Sequence, residues 1–244
     1  MKKIIAMTLA LLMLLGMTAC GSAPADDGKY TIGICQLAPH VALDAATEGF
    51  KQAVKDKLGE ENVVFDPQIA AGDSATCASI VNAFVAANVD LIMANATPAL
   101  QAAAAATAEI PILGTSVTEY GVALDLTDFQ GVVGGNVSGT SDLAPLADQA
   151  AMLLEWFPDA KNVGLLYCAA EPNSKYQVDT VMALLTAEGV NCQPFAFADS
   201  NDLQAVTNAA CEFSDVIYVP TDNTVAYSPR YHHLRKSEYV RRYR

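Results

Sequence analysis

The chain has 244 residues, of which 52% are hydrophobic and 17% are charged, with 27 acidic against 14 basic residues and a net charge of −13. This hydrophobic content excludes an intrinsically disordered chain, and the acidic balance excludes a nucleic-acid-binding protein that works through a basic face. The charge is unevenly spread, because residues 20–226 contain no arginine whereas every arginine falls within residues 230–244.

Residues 1–19 are predicted to be a secretion signal. Lys2 and Lys3 precede an apolar run, residues 4–15, that has the length of a signal-peptide core and is short for a membrane span. Small residues then lead to Cys20 in a pattern that resembles a bacterial lipobox, which implies lipidation of Cys20. The alternative is an ordinary secretory signal cut just before it. We expect a lipid-anchored, extracytoplasmic protein with a polar tether over residues 20–29.

Five further cysteines follow, and their odd number prevents complete pairing. They are Cys35, Cys77, Cys168, Cys192 and Cys211. None has the CxxC spacing of zinc or thioredoxin-like sites, so no metal site is predicted. Cys35 and Cys168 lie in apolar, strand-like runs, where cysteine behaves as a small hydrophobic residue. Buried free thiols are therefore predicted in preference to a disulfide framework.

Strand and helix patterns alternate through residues 30–144, the predicted N-terminal lobe. Strands are predicted at residues 30–36, 62–65, 90–94 and 112–115, with a fifth at 131–134 and a turn at 134–136. Helices are predicted at residues 40–58, 74–88 and 98–108.

The pattern restarts near residue 145, so a second lobe is predicted over residues 145–226. Its helices are predicted at residues 141–157, 173–188 and 202–213, and its strands at 162–167, 190–195 and 215–219. Repeated βαβ units favour parallel sheets with helices on both faces. The prediction is an α/β fold of two lobes.

Polar side chains follow the predicted strands, at the edge where open α/β sheets bind ligands. The residues predicted to bind a ligand are Gln36, His40, Thr97, Thr115, Ser116, Asp142, Glu171, Asn173, Ser174, Asp222 and Asn223. Each alone suits a helix cap or a turn. Their occurrence in both lobes indicates a small-molecule cleft between them.

Enzyme motifs are largely missing from the sequence. The glycine-rich segment 131–139 lacks GxGxxG spacing, and there is no P-loop, GxSxG or HExxH motif. No cofactor is predicted. An extracytoplasmic enzyme that uses Cys35 and His40 as a thiol–imidazole pair stays an alternative.

Several segments together resemble the substrate-binding lipoproteins of aromatic amino acid (tryptophan/tyrosine) ABC transporters. They are residues 36–50, 96–102, 115–118, 136–145, 167–174 and 216–226. The resemblance implies a type I periplasmic-binding-protein fold with three crossings between the lobes. It also implies that the chain captures an amino acid, hands it to a permease with a cytoplasmic ATPase, and is not itself an enzyme.

The resemblance weakens at residues 119–128 and ends at Ala226. The family would continue beyond that point, so a C-terminally truncated fold is expected. Residues 227–244 form an atypical basic tail, for which a frameshift or chimeric gene end is the leading explanation. The alternative is a tail that touches anionic lipid or nucleic acid, although no nucleic-acid partner is expected.

The charge pattern also limits the ligand. A body without arginine offers no bidentate clamp for a phosphate or a dicarboxylate, which favours a zwitterion. The candidate partners for its ammonium are Asp142, Glu171 and Asp222, and those for its carboxylate are helix N-terminal amides and hydroxyls. Apolar walls are expected from Tyr120, Tyr167 and Tyr176. An uncharged or sugar-like solute is the alternative ligand.

Overall fold

The computed structural model describes residues 28–228, and their strands and helices alternate along the chain. The predicted signal peptide, Cys20, most of the tether and most of the basic tail lie outside these residues. The N-terminal lobe contains β1 (Tyr30–Gln36), α1 (Val41–Leu58), a 3₁₀ turn (Glu60–Asn62), β2 (Val63–Ile69), α2 (Ser74–Ala86), β3 (Leu91–Asn95), α3 (Thr97–Ala106), β4 (Ile112–Val117), α4 (Tyr120–Ala123) and β5 (Val137–Ser141).

The strands of this lobe form one parallel sheet in the order β2-β1-β3-β4-β5. Successive residues of β1 face opposite sides of the sheet, and both sides are covered. Ile32 and Ile34 pack with Met93 on the side where Phe50 of α1 lies. Cys35 belongs to a second core on the other side, which α2 and α3 supply. Burial on both faces explains the nearly continuous apolar sequence of β1.

The C-terminal lobe repeats the pattern on a smaller scale. It contains α5 (Leu146–Trp156), β6 (Asn162–Cys168), α6 (Pro172–Ala187), β7 (Asn191–Phe197), α7 (Leu203–Phe213), β8 (Val216–Tyr218) and α8 (Asn223–Tyr227). Its parallel sheet has the order β7-β6-β8. One core lies between β6, α5 and α6, and a second joins β6, β7 and α7. The predicted two-lobed α/β fold with parallel sheets is confirmed.

The fifth strand is not where the sequence predicts it. Residues 131–134 lie outside strands, and β5 runs over Val137–Ser141. Gly131, Gly134 and Gly135 have φ values of +83°, +80° and +60°, so the glycine-rich segment forms irregular turns instead of extended chain. The helix predicted from residue 141 consequently begins at Leu146, after β5 has ended.

Two short helices, α4 and α8, occur where the sequence analysis expects none. Asp222 caps α8, since its side chain accepts a hydrogen bond from Val225 N. Cys35, Cys77, Cys168 and Cys192 have free thiols, and the first three of these are buried, as the sequence analysis predicts for Cys35 and Cys168. Within residues 28–228, no helix is both long and apolar enough to cross a membrane.

Candidate functional site

A cavity of about 260 Å³ lies between the two lobes, at the carboxyl ends of β1, β4, β5 and β8. The N-terminal lobe lines it with Leu37, Ala38, His40, Ala42, Leu43, Ser116, Thr118 and Asp142. The C-terminal lobe lines it with Val219, Pro220, Thr221, Asp222, Asn223, Val225, Ala226 and Tyr227. We call this cavity the interlobe cleft. Its position is the one at which open α/β sheets bind ligands.

The predicted ligand-binding residues fall into two groups. Those that line the interlobe cleft are His40, Ser116, Asp142, Asp222 and Asn223. Those that do not line it are Gln36, Thr97, Thr115, Glu171, Asn173 and Ser174. Most of the second group form hydrogen bonds that hold the cleft walls in place.

Glu171 fastens helix α8 to the C-terminal lobe. Its Oε2 accepts hydrogen bonds from Asn223 N at 2.9 Å and Asn223 Nδ2 at 2.8 Å. Its Oε1 accepts from Thr224 N at 2.8 Å and Thr224 Oγ1 at 2.7 Å. The residue is 6% exposed. Its carboxylate thus accepts hydrogen bonds from the backbone of the cleft wall, whereas the sequence analysis expects it to bind the ammonium of the ligand.

Asp222 is the buried acid of the cleft. Its Oδ2 accepts a hydrogen bond from Cys168 N at 2.7 Å, and its Oδ1 accepts one from Val225 N at 2.9 Å. Burial, followed by the charge of the neighbouring Glu171, raises the pKa of Asp222 to about 6. The side chain therefore joins the end of β6 to α8 and places a titratable carboxyl at the cleft.

A set of amides supports the loop between β8 and α8. The carbonyl of Thr221 accepts hydrogen bonds from Asn173 Nδ2 at 3.1 Å and Gln177 Nε2 at 3.2 Å, and Ser174 Oγ lies 3.5 Å from it. Gln177 Oε1 accepts one from Thr221 N at 3.1 Å. Gln177 was not among the predicted residues because it lies in the second turn of α6, away from any strand end.

A second network lies behind the N-terminal wall of the cleft. Gln36 donates from Nε2 to Asp44 Oδ1 at 2.7 Å and to the Ala38 carbonyl at 2.8 Å, and its Oε1 accepts from Thr47 Oγ1 at 2.6 Å. Asn95 Nδ2 donates to Thr47 Oγ1 at 3.0 Å. These bonds fix the loop between β1 and α1, which carries Leu37, Ala38 and His40 to the cleft.

The end of β4 carries a local irregularity at the cleft. The register of the β4–β5 pair shifts between Gly114 and Val117, and Ser116 has a φ of +53°. A non-glycine residue in this region is strained, and bulges of this kind redirect side chains at binding sites. Thr115 lies 3.4 Å from Thr140 through their Oγ1 atoms, and Thr97 is buried at the start of α3.

The thiol–imidazole pair of the enzyme alternative does not form. Cys35 is fully buried, and a hydrogen bond to Cys77, together with burial, raises the pKa of its thiol far above the ordinary value. His40 instead caps α1, where its Nδ1 accepts from Ala42 N at 3.3 Å. Among the described residues, no group of His, Cys, Asp and Glu has the arrangement of a metal site.

Two α/β lobes around a small cleft of hydroxyls, carboxylates and apolar side chains define the class of solute-binding proteins. The sequence model of the ABC transporter substrate binding protein family matches residues 31–242, most of the chain and a range that runs past Ala226. The chain therefore belongs to the ABC transporter substrate-binding proteins, and its fold is that of the type I periplasmic binding proteins. Proteins of this family bind substrates for transport and act outside the cytoplasm.

Individual relatives agree with this assignment. A tyrosine-binding protein of Clostridioides difficile strain R20291 is 35% identical over 241 residues, covering 93% of this chain and 70% of the relative. A Streptococcus pneumoniae ABC domain solved in complex with L-Trp is 30% identical with a TM-score of 0.77, covering 82% of this chain and 68% of that one.

A third relative was solved in an open, ligand-free form. The ligand-free, open form of a Clostridium difficile substrate-binding protein with adhesive properties is 40% identical, covers 80% of this chain and 67% of that one, and has a TM-score of 0.56. The more similar sequence thus superposes less well than the L-Trp complex does.

Proposed function

We propose that this chain captures an aromatic amino acid in the interlobe cleft and delivers it to an ABC importer. The observation that carries the proposal is the cleft itself, where both lobes converge with two carboxylates, hydroxyls and apolar side chains. The relatives supply the ligand class, since one is named for tyrosine and another was solved with L-Trp.

The cleft offers a partner for each part of an amino acid. Asp142 is exposed and Asp222 is buried, and both line the cleft as acceptors for an ammonium group. The hydroxyls of Ser116 and Thr118 are donors for a carboxylate. The apolar side chain would contact the aliphatic walls and the ring of Tyr227. The three tyrosines predicted for this role, Tyr120, Tyr167 and Tyr176, do not line the cleft.

Closure of the lobes would complete the site. The ring of Tyr227 in α8 already reaches the opposite lobe, because a Cβ placed on Gly72 would lie 3.2 Å from Tyr227 Cε1. Helix α4 likewise packs against α6 across the lobes. The closed form would bury the ligand and present the surface that a permease with its cytoplasmic ATPase recognises, while a lipid on Cys20 holds the protein at the membrane.

Isothermal titration calorimetry with L-tryptophan, L-tyrosine, L-phenylalanine and uncharged sugars tests the proposal. We expect one site per chain for at least one aromatic amino acid. The Asp142→Asn variant should bind it about 10- to 100-fold more weakly, since a hydrogen bond to a charged group is lost. Asp128→Asn, an exposed acid outside the cleft, is the matched control and should bind normally. Binding of a sugar without any aromatic amino acid would overturn the assignment.

A further inference from the structure

Among the described residues, the carboxylates of the interlobe cleft have no lysine beside them in its lining. Asp142 and Asp222 line it, and none of the six lysines in residues 28–228 does. Three of those lysines are committed to acids elsewhere, since Lys51 pairs with Glu48, Lys55 with Glu60 and Lys175 with Asp179. The described part of the chain therefore brings no cation to meet the carboxylate of a ligand.

The backbone amides of the C-terminal wall are also occupied. A helix start normally offers free N–H groups to an anion. In α8, Asn223 N and Thr224 N donate to Glu171, and Val225 N donates to Asp222. The acids of this lobe thus take the amides that would otherwise receive a ligand's carboxylate.

The side-chain donors of the N-terminal wall are an imidazole and hydroxyls. His40 Nδ1 accepts a hydrogen bond from Ala42 N, so in the neutral ring the proton lies on Nε2. Thr118 is 2% exposed and lines the cleft, and its carbonyl accepts a hydrogen bond from Ser141 Oγ at 2.6 Å. Its hydroxyl is an uncharged donor at the cleft wall.

From this distribution we infer that the interlobe cleft recognises its ligand mainly through the ammonium group, so that primary aromatic amines without a carboxylate are also ligands. The inference rests on the proposed function, which places an aromatic amino acid in the same cleft. An ammonium gains both hydrogen bonds to Asp142 and Asp222 and the attraction of their charges, whereas a carboxylate gains hydrogen bonds from hydroxyls and an imidazole but meets the repulsion of the two acids.

Loss of a hydrogen bond to a charged group weakens binding by about 12- to 150-fold. Removing the ammonium of tyrosine loses such bonds together with the attraction of Asp142 and Asp222, so it should cost at least this factor in Kd or abolish binding. Removing its carboxylate also relieves the repulsion by the two acids, so it should cost a smaller factor in Kd.

The test is calorimetric titration of the full chain at one pH and ionic strength with three matched ligands: L-tyrosine, tyramine and 3-(4-hydroxyphenyl)propionate. Where L-tryptophan is the better ligand, tryptamine and indole-3-propionate replace the analogues. We expect the affinity to fall in the order amino acid, amine, carboxylic acid. The amine should bind clearly more tightly than the carboxylic acid. Asp142→Asn should weaken the amino acid and the amine by similar factors, and Asp128→Asn should weaken neither.

The outcomes separate this inference from the function on which it rests. If the amino acid binds and the carboxylic acid analogue binds as tightly as the amine, the inference is overturned and the proposed function stays in place. An amine that does not bind although the amino acid does overturns it as well. If no aromatic amino acid binds at all, the proposed function fails and the inference fails with it.

Discussion

The two acids of the C-terminal wall show how single residues build this site. Asp222 and Glu171 are both buried, and each accepts hydrogen bonds from the backbone of α8. Their arrangement is stable because the amides of a helix start favour negative charge. It also has a cost, since burial and mutual repulsion raise the pKa of Asp222 from 3.8 to about 6.

This raised pKa predicts a pH dependence of stability. Between the ordinary pKa of 3.8 and the folded-state pKa of about 6, the folded protein holds a proton that the unfolded chain releases. The contribution of Asp222 therefore favours the folded state most in acid and is lost as the pH rises through about 6. The expected size is about 1–3 kcal/mol, which urea unfolding of the wild type and Asp222→Asn at pH values between about 4 and 7 measures.

The difference in unfolding free energy between the wild type and Asp222→Asn, followed across pH, reports on Asp222 alone and not on the other acids. Hydrogen bonds from the Thr76 hydroxyl and the Ala75 amide lower the pKa of Asp73, and backbone amides lower that of Asp215, so both acids act in the opposite direction in both proteins. Asp128→Asn should follow the wild type. Parallel pH profiles for the wild type and Asp222→Asn would show that Asp222 does not titrate as described.

Position along a strand decides which of the predicted residues reach the cleft. Five of them line the cleft because they lie at the carboxyl ends of strands: Ser116 within the last residues of β4, and His40, Asp142, Asp222 and Asn223 after their strands. The sequence cannot tell whether a polar residue at such an end faces the ligand or the protein. Glu171 and Gln36 face the protein, and this depends on the placement of α8 and α1, which tertiary packing sets.

At the scale of elements, β5 shows the limits of hydrophobic pattern. The apolar pair Val132–Val133 attracts a strand prediction, but the flanking glycines take positive φ values and Val132 is 79% exposed. The true strand reads Val-Ser-Gly-Thr-Ser and is mostly exposed, as is common for an edge strand, so its pattern is faint. The strands of the sheet interior were predicted well because both of their faces are buried.

The backbone of β5 packs closely on that of β4. A side chain added at Gly139 should therefore destabilise the fold strongly. A Cβ at this position would lie 2.2 Å from the Gly114 carbonyl oxygen and 2.2 Å from the Tyr120 hydroxyl. Gly139→Ala must therefore displace β5 or α4 and should cost about 2–4 kcal/mol in the free energy of unfolding, measured by urea denaturation.

Gly49 provides the matched control for this substitution. It lies inside α1, and a Cβ there would meet no atom within 4 Å. Gly49→Ala should stabilise the protein by up to about 1 kcal/mol, because alanine is the better helix former. Equal and small effects of the two substitutions would contradict the described packing of β5 on β4.

For the molecule as a whole, the order of strands and helices was predictable because the βαβ pattern repeats in each lobe. The angle between the lobes was not, since it depends on contacts such as Tyr227 with Gly72, which local sequence does not encode. That angle decides whether the two walls form one site. The contacts of Tyr227 with Gly72 and of α4 with α6 bring the two walls together.

Hydrogen–deuterium exchange of the full chain with and without saturating L-tryptophan or L-tyrosine, whichever binds, tests this claim most directly. A ligand held between the lobes slows exchange in both walls together. We predict protection at residues 37–43 and 116–118 of the N-terminal lobe and at 219–227 of the C-terminal lobe. Protection confined to one lobe, or to residues 129–134 beside the second cavity, would contradict an interlobe binding site.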